Sequence, residues 1–284
     1  MADLLDRGYE RAYHFLRGFT PRRIKARWTG PRVLANSIPK SGTNLLLSCL
    51  AEFPNLRPSF EHVSMGSNRT AGTAELRGVL EATGRGQYSS GHVFHTPETR
   101  AVVERTDVRM LLVVRDPRDV VTSHFHFVSE KHTGHRLHDH YRSLPDEEAR
   151  LMASIRGVDG VQTRDGKPLE SIGEWLDAFL GWKEEPYVQL LRFEDLVGTQ
   201  GGGSRTAQMD AVRAIAGHLD VELDERRVES IAAGTFSTGS STFRKGLIGD
   251  WRNHFTDAHV TAFKDEVGDE LQELGYETNA DWNV

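Results

Sequence analysis

Residues 33–46 read Val-Leu-Ala-Asn-Ser-Ile-Pro-Lys-Ser-Gly-Thr-Asn-Leu-Leu, and this stretch narrows the folds open to the chain. An apolar run from Val33 to Ile38 ends at Pro39, a Lys-Ser-Gly-Thr turn follows, and Leu45-Leu46-Leu47 opens a helix. A strand feeding a glycine turn and a helix N-terminus brings backbone N–H groups, the positive helix end and the Lys40 ammonium to one point. The spacing predicts an anion pocket suited to a phosphate. It departs from the nucleoside-triphosphate loop, where the lysine follows the last glycine and a Ser/Thr then holds magnesium. Here Lys40 precedes Gly42, and Ile-Pro stands where a long glycine arch would be. The loop is expected to grip a phosphate but not Mg-ATP.

Apolar runs alternate with helical patterns along the rest of the chain, the signature of a parallel sheet wrapped by helices. Val33–Ile38, Met110–Val114 and Val188–Arg192 are branched-apolar runs expected as strands buried on both faces. Helices are expected at 43–52, 73–83, 97–105, 117–131, 170–182, 206–219, 224–233 and from Thr256 to Leu274, with Thr256 as cap. The reading is a single α/β domain with a central, mostly parallel sheet, spanning 32–284 behind an N-terminal segment at 1–31. Residues 131–168, rich in His, Arg and acidic side chains up to 156, break the alternation. They read either as a covering flap or as a peripheral helical insertion.

Bulk properties exclude several classes. A net charge of −6 argues against general nucleic-acid binding, which needs a basic field. The apolar runs fall far short of the roughly 20 residues of a membrane span, and charges from Asp3 to Arg11 interrupt any secretory signal. A single cysteine, Cys49, suits a reducing, cytoplasmic setting and is expected to be an inert buried thiol. Residues 1–32 hold eight Arg/Lys against three Asp/Glu, with Leu5, Tyr9, Ala12 and Leu16 at helical spacing. Such a helix packs its apolar stripe on the domain, or lies peripherally on an anionic membrane surface.

Two further segments carry cations. In Leu111-Leu112-Val113-Val114-Arg115-Asp116-Pro117, a buried strand ends in Arg115, Asp116 is placed to cap a helix and Pro117 suits its first position; Ser123 lies two turns in. Ligands of parallel sheets sit at the carboxyl ends of strands, and a guanidinium there suits a phosphate. Residues 244–256, Arg-Lys-Gly-Leu-Ile-Gly-Asp-Trp-Arg-Asn-His-Phe-Thr, have two glycines, two adjacent cations and no clear apolar period. They suit an ordered loop over an anion. Together the three segments imply a ligand with two separated anionic groups.

These motifs, in this order, resemble the cytosolic-type sulfotransferases, enzymes that use 3′-phosphoadenosine 5′-phosphosulfate (PAPS) and release 3′,5′-adenosine bisphosphate (PAP). The resemblance runs from about residue 33 to the C-terminus. It implies a P-loop-like fold and transfer of a sulfuryl group to a hydroxyl or amine of an acceptor, without metal. Pro39, Lys40, Ser41, Gly42, Thr43 and Asn44 would hold the 5′-phosphosulfate, with Lys40 stabilising charge on the leaving phosphate. Arg115, Ser123, Arg244 and the backbone of Lys245 and Gly246 would hold the 3′-phosphate. The family's histidine base falls in Ser90-Gly91-His92-Val93-Phe94-His95, 20-odd residues before the arginine. His92 is the first choice and His95 the alternative.

The sequence departs from the family pattern in places. Leu45 stands where a tryptophan often stacks on adenine, and Phe193-Glu194-Asp195 replaces a Tyr-Glu-Asp segment, losing a hydroxyl but keeping a ring. Phe236 is a second candidate to stack on adenine. Six histidines between His124 and His140 lack a converging metal-ligand pattern and are expected to be substrate-facing or surface residues. The acceptor stays open: a small hydroxylated molecule by analogy, with a carbohydrate or glycolipid as the alternative. A P-loop nucleotide kinase and a non-catalytic nucleotide-binding protein are the readings from other classes.

Overall fold

The computed structural model describes residues 30–64, 73–236 and 245–284. The basic segment at 1–29 and Arg244 therefore lie outside the described residues. The described residues divide into two compact units, one from those of 30–114 and 179–246, the other from 115–178 and 247–284.

The first unit holds the sheet. Its strands are β1 (Arg32–Ser37), β2 (Arg57–Val63), β3 (Gln87–Gly91), β4 (Val108–Val114) and β5 (Val188–Arg192), ordered β2-β3-β1-β4-β5. All four pairings are parallel, as expected from the alternating pattern. The strands read from apolar runs are present as β1, β4 and β5, and Met110 to Val114 is wholly buried.

Two strands escaped the apolar pattern. β3 is Gln-Tyr-Ser-Ser-Gly, small and polar yet largely buried, so its neighbours rather than its own hydrophobicity make it a strand. β2 is an edge strand, where Pro58 is tolerated because no partner needs its missing N–H. Its register with β3 shifts between Pro58 and His62, and Phe60 sits at φ 67° in the shifted stretch.

Helix α1 (Thr43–Glu52) follows β1, and α2 (Ala74–Ala82) and α3 (Pro97–Glu104) flank β3. Thr96 and Thr99 form a reciprocal capping box at the start of α3. The core of this unit joins Val33 and Ala35 of β1, Leu46 and Leu50 of α1, and Leu111 and Val113 of β4. Each fully buried valine or leucine of this set contributes about 1.5–3 kcal/mol. Cys49 is part of this core, and burial pushes its thiol up to about 12, as befits an inert sulfur.

The second unit is helical. It contains α4 (Pro117–His126), α5 (His138–Ser143), α6 (Glu147–Arg156) and most of α7 (Ile172–Leu180). Back in the first unit, α8 (Phe193–Leu196), α9 (Arg205–His218) and α10 (Glu225–Thr235) follow β5, and the chain closes in the second with α11 (Asp257–Glu266) and α12 (Glu270–Glu273). The helix expected at 117–131 is α helix only to His126 and continues as a π turn over Phe127–Lys131. The helix expected from Thr256 to Leu274 breaks at Val267, whose backbone is extended, and resumes as α12. At the start of α11 the Thr256 N–H donates to His259 Nδ1 at 3.1 Å, and His259 Nε2 donates to the Glu148 carbonyl at 2.9 Å. Residues 131–156 form α5 and α6; α6 packs on α4 and α11 within this unit.

Candidate active site

The 39–44 loop takes its shape from backbone conformations that side-chain-bearing residues seldom adopt. Lys40 is left-handed at φ 70°, and Gly42 is the left-handed N-cap of α1 at φ 105°. For a lysine this conformation is a local strain of the kind that persists at ligand-binding turns. A Cβ on Gly42 would stand 2.7 Å from the ring of Phe193, so only glycine lets the turn approach that ring. Being glycine, the N-cap also offers no side chain to the first-turn amides. Ser41 is wholly buried, and its hydroxyl has no hydrogen-bond partner among the described residues. A buried orphan hydroxyl in a left-handed turn at a helix N-terminus fits a bound phosphosulfate group.

His92 follows β3, at the same carboxyl edge of the sheet as the loop that follows β1. Its Nδ1 lies 2.8 Å from the Ser37 carbonyl oxygen. A carbonyl can only accept, so Nδ1 carries the hydrogen and Nε2 keeps its lone pair. The Ser37 hydroxyl lies 3.3 Å from the same Nδ1 and 2.6 Å from Thr43 Oγ1, which links the histidine to the first residue of α1. Burial lowers the His92 pKa to about 4; His62 and Lys40 lower it too, while the bond to Ser37 opposes them. The ring of His62 stands edge-on to His92 at 5.5 Å between centroids, and its Nδ1 is 2.9 Å from Ser90 Oγ.

His95 is held elsewhere. Its Nε2 meets Glu185 Oε1 at 3.1 Å, that same oxygen takes Arg100 Nε at 2.7 Å, and its ring stacks edge-on against Trp182 at 4.8 Å. A Cβ on Gly181 would collide with its ring. Phe236 follows directly on α10, and Gly246 is left-handed at φ 62° after an exposed Lys245.

In the second unit Arg115 is buried to 7% exposure. Its Nη2 donates to the Leu247 carbonyl at 2.8 Å and lies 3.4 Å from Asp119 Oδ2. Asp119, one helical turn on, accepts the N–H of Gly249 at 2.8 Å and of Trp251 at 2.9 Å. Burial raises its pKa against the pull of Arg115 and the two amides. Asp116 caps α4 by accepting the Arg118 N–H at 3.0 Å, with Pro117 in the first turn, as the sequence indicated. It also grips the Arg118 guanidinium at 2.9 and 2.7 Å, while the Trp251 and Trp282 rings lie 4.1 and 4.6 Å from that group. Ser123 is half-buried on α4.

The histidine-rich stretch is taken up by local bonds. His124 Nδ1 lies 2.9 Å from Ser154 Oγ, His126 Nδ1 2.9 Å from Glu130, and His138 Nδ1 2.7 Å from the Val128 carbonyl. Among the described residues no cluster of His, Cys, Asp or Glu could hold a metal ion, and no helix is long and apolar enough to cross a membrane.

Within the first unit the structure thus brings Lys40, Ser41, Gly42, Thr43, His92 and Phe193 into one neighbourhood, and in the second it ties Arg115 to the 247–251 loop. Sequence reasoning missed Ser37, His62, Asn36 and Asp119. The Asp119 signal was present: it stands four residues after Arg115, the spacing at which opposite charges meet on a helix.

The family model for the sulfotransferase domain matches residues 31–275. Sulfotransferase 6B1 of Danio rerio is 28% identical over 166 residues, covering 53% of this chain and 47% of its own length. The 3-alpha-hydroxysteroid sulfotransferase of Cavia porcellus is 22% identical over 170 residues, 55% of this chain and 53% of its own. The chain spans about half the length of these two curated relatives. Mouse sulfotransferase SULT7A1, crystallised with PAP, shares the fold at a TM-score of 0.60 and 16% identity, over 87% of this chain and 85% of that one. Retinol dehydratase with androsterone and PAP shares it at 0.55 and 15% identity, over 89% and 82%. With the family match running from the strand before the Lys40 loop to the end of the chain's last helix, the protein belongs to the sulfotransferase family.

Proposed function

We propose that this chain transfers a sulfuryl group from PAPS to the hydroxyl or amine of an acceptor by direct in-line displacement, with His92 as general base. The observation that carries the reading is the 39–44 turn, with left-handed Lys40 and Gly42 and the buried, unpartnered Ser41 hydroxyl beside a neutral histidine. PAPS supplies the sulfuryl group and leaves as PAP. Pro39, Ser41, Gly42, Thr43 and Asn44 bind the 5′-phosphosulfate, and Lys40 neutralises the charge that grows on the bridging oxygen as the S–O bond breaks. His92 Nε2 takes the acceptor proton as the new S–O or S–N bond forms; its Nδ1–H stays on Ser37. The tie of His95 to Glu185 and Arg100 supports His92 over His95 for this task.

Arg115, Ser123, Arg244, Lys245 and Gly246 bind the 3′-phosphate, a group that ATP lacks, and Phe193 and Phe236 flank the adenine. The buried setting of Arg115 supports this role, because a guanidinium held by neighbours loses little freedom on binding an anion. The acceptor is a small molecule bearing an alcohol or phenol. The steroid named for one relative and the androsterone bound by a structural neighbour favour apolar alcohols over carbohydrate or glycolipid acceptors.

Thermal shift with PAP, set against ATP with magnesium, tests the donor site. A larger shift with PAP is expected; a larger shift with Mg-ATP would favour a kinase and overturn the reading. Labelled PAPS with a panel of steroid, retinoid, phenolic and sugar acceptors tests the rest. Label transfer to none of them, by a protein that binds PAP, would leave a non-catalytic binding protein.

A further inference from the structure

Asn36 is fully buried near the end of β1. Within the first unit, β1 and β3 pair as far as Asn36 opposite Gly91, the last residue of β3. Beyond that point the backbone ladder between them stops, yet the chain stays against β1. The carboxamide of Asn36 takes the ladder's place. Its Oδ1 accepts the Val93 N–H at 2.8 Å, and its Nδ2 donates to the Val93 carbonyl at 2.9 Å. The same Oδ1 accepts the Ser37 N–H at 3.0 Å. Trp182 Nε1 donates to the Val93 carbonyl from the other side at 2.8 Å.

His92 lies between the end of β3 and this clamped residue. Its own N–H donates to the Val63 carbonyl of β2 at 3.1 Å, and its ring to the Ser37 carbonyl at 2.8 Å. Every bond of the Asn36 side chain to a backbone group therefore falls on a residue adjoining His92 or on the residue that receives its ring. Bridging the N–H and the C=O of one residue takes a side chain with both donor and acceptor, and asparagine is the shortest that has them. A leucine would suit the apolar core around Leu34 and Leu112 but leave the Val93 N–H buried without a partner. An ionised aspartate would offer acceptors only.

We infer that Asn36 is a positioning residue: its carboxamide docks residues 92–93 onto β1, so that His92 Nδ1 stays on the Ser37 carbonyl and Nε2 is kept as the proton acceptor. This rests on the reading of His92 as the base. The groups facing His92 are His62 from β2 and Lys40 from the loop, and both disfavour its imidazolium.

The test uses the full chain with Asn36→Ala and Asn36→Ser, the serine being too short to bridge both backbone groups. Circular dichroism and PAP binding verify the fold, and the serine variant serves if the alanine does not fold. Turnover with PAPS is measured alongside the His92 titration, followed by NMR of labelled histidines and assigned by the resonance lost in His92→Gln. Loosened histidine geometry is expected to lower kcat about 10–100-fold, with KM for PAPS within about threefold of wild type. The His92 midpoint moves up from about 4 toward the ordinary imidazole value, roughly 6.5. A midpoint that stays near its wild-type value in a folded variant overturns the inference. A moved midpoint with unchanged kcat upholds the clamp and overturns His92 as the base.

Discussion

The 39–44 loop and the Arg115 end of β4 both present a cation, and they are held in different ways. The loop is set by its own backbone: Lys40 and Gly42 are left-handed, and the Phe193 ring lies against Gly42. Arg115 needs no unusual backbone. It is fixed by Asp119 and by a carbonyl 132 residues away, and Asp119 in turn holds the amides of Gly249 and Trp251. The first arrangement is written in six adjacent residues, while the second depends on a carboxylate that must find its partners through folding. Local sites of the first kind are sensitive to glycine and loop chemistry; networks of the second kind are sensitive to loss of a buried charge.

The largest effect should come from the loop side. Lys40→Ala and His92→Ala are each expected to lower turnover with labelled PAPS at least ~100-fold, since in the proposed mechanism each removes charge stabilisation or proton transfer made in the transition state. A Lys40→Ala enzyme with near wild-type turnover would mean that the loop is not the phosphosulfate site.

Next is the network side. Asp119→Ala leaves the buried Trp251 amide, the half-buried Gly249 amide and the Arg115 guanidinium without their carboxylate. Urea unfolding should show a loss of about 3 kcal/mol, together with weaker PAP binding by calorimetry. Unchanged stability would show that the 247–251 loop holds itself, and the contrast between the two regions would collapse.

Glycine substitutions sharpen the same contrast. Gly42→Ala meets both a positive φ and the Phe193 ring at 2.7 Å, whereas at Gly249 the nearest obstacle is the tip of Arg252 at 3.1 Å. The first should cost about 2–3 kcal/mol and the second about 1 kcal/mol in the same unfolding assay. Equal costs would show that backbone conformation alone, and not the Phe193 contact, sets the price at Gly42.

The smallest effect is a pH slope. His92 titrates near 4 in the folded protein and at roughly 6.5 when unfolded. Between those values the unfolded chain binds the extra proton, so this histidine makes stability rise with pH and fall as pH drops from 6.5 toward 4. Melting temperatures from pH 4.5 to 7.5 should therefore fall more steeply toward acid in wild type than in His92→Gln, by about 2–4 °C. Parallel slopes would mean that His92 is not held neutral.

Much of the fold could be read ahead of the structure, for identifiable reasons. β1, β4 and β5 announced themselves because strands buried on both faces must be apolar throughout. The Asp116 cap and Pro117 were legible because helix starts obey local rules. β3 was not, since Gln-Tyr-Ser-Ser-Gly becomes a strand only between β1 and β2. The break at Val267 and the π turn after His126 also went unread, because apolar periodicity does not register a local change of backbone state.

The sequence by itself determined the strand–turn–helix around Lys40 and Gly42, the order of the cationic motifs and, through them, the family. These depend on near neighbours along the chain, whose geometry follows from glycine, proline and helix-end chemistry. Tertiary structure alone decided that Nδ1 of His92 is the nitrogen on the Ser37 carbonyl, that His95 is tied to Glu185, that the Asn36 carboxamide bridges Val93 and that Asp119 holds the Gly249 and Trp251 amides. Each of those facts is a hydrogen bond between groups far apart in sequence. Burial makes such a bond obligatory, and only the folded chain supplies the partner.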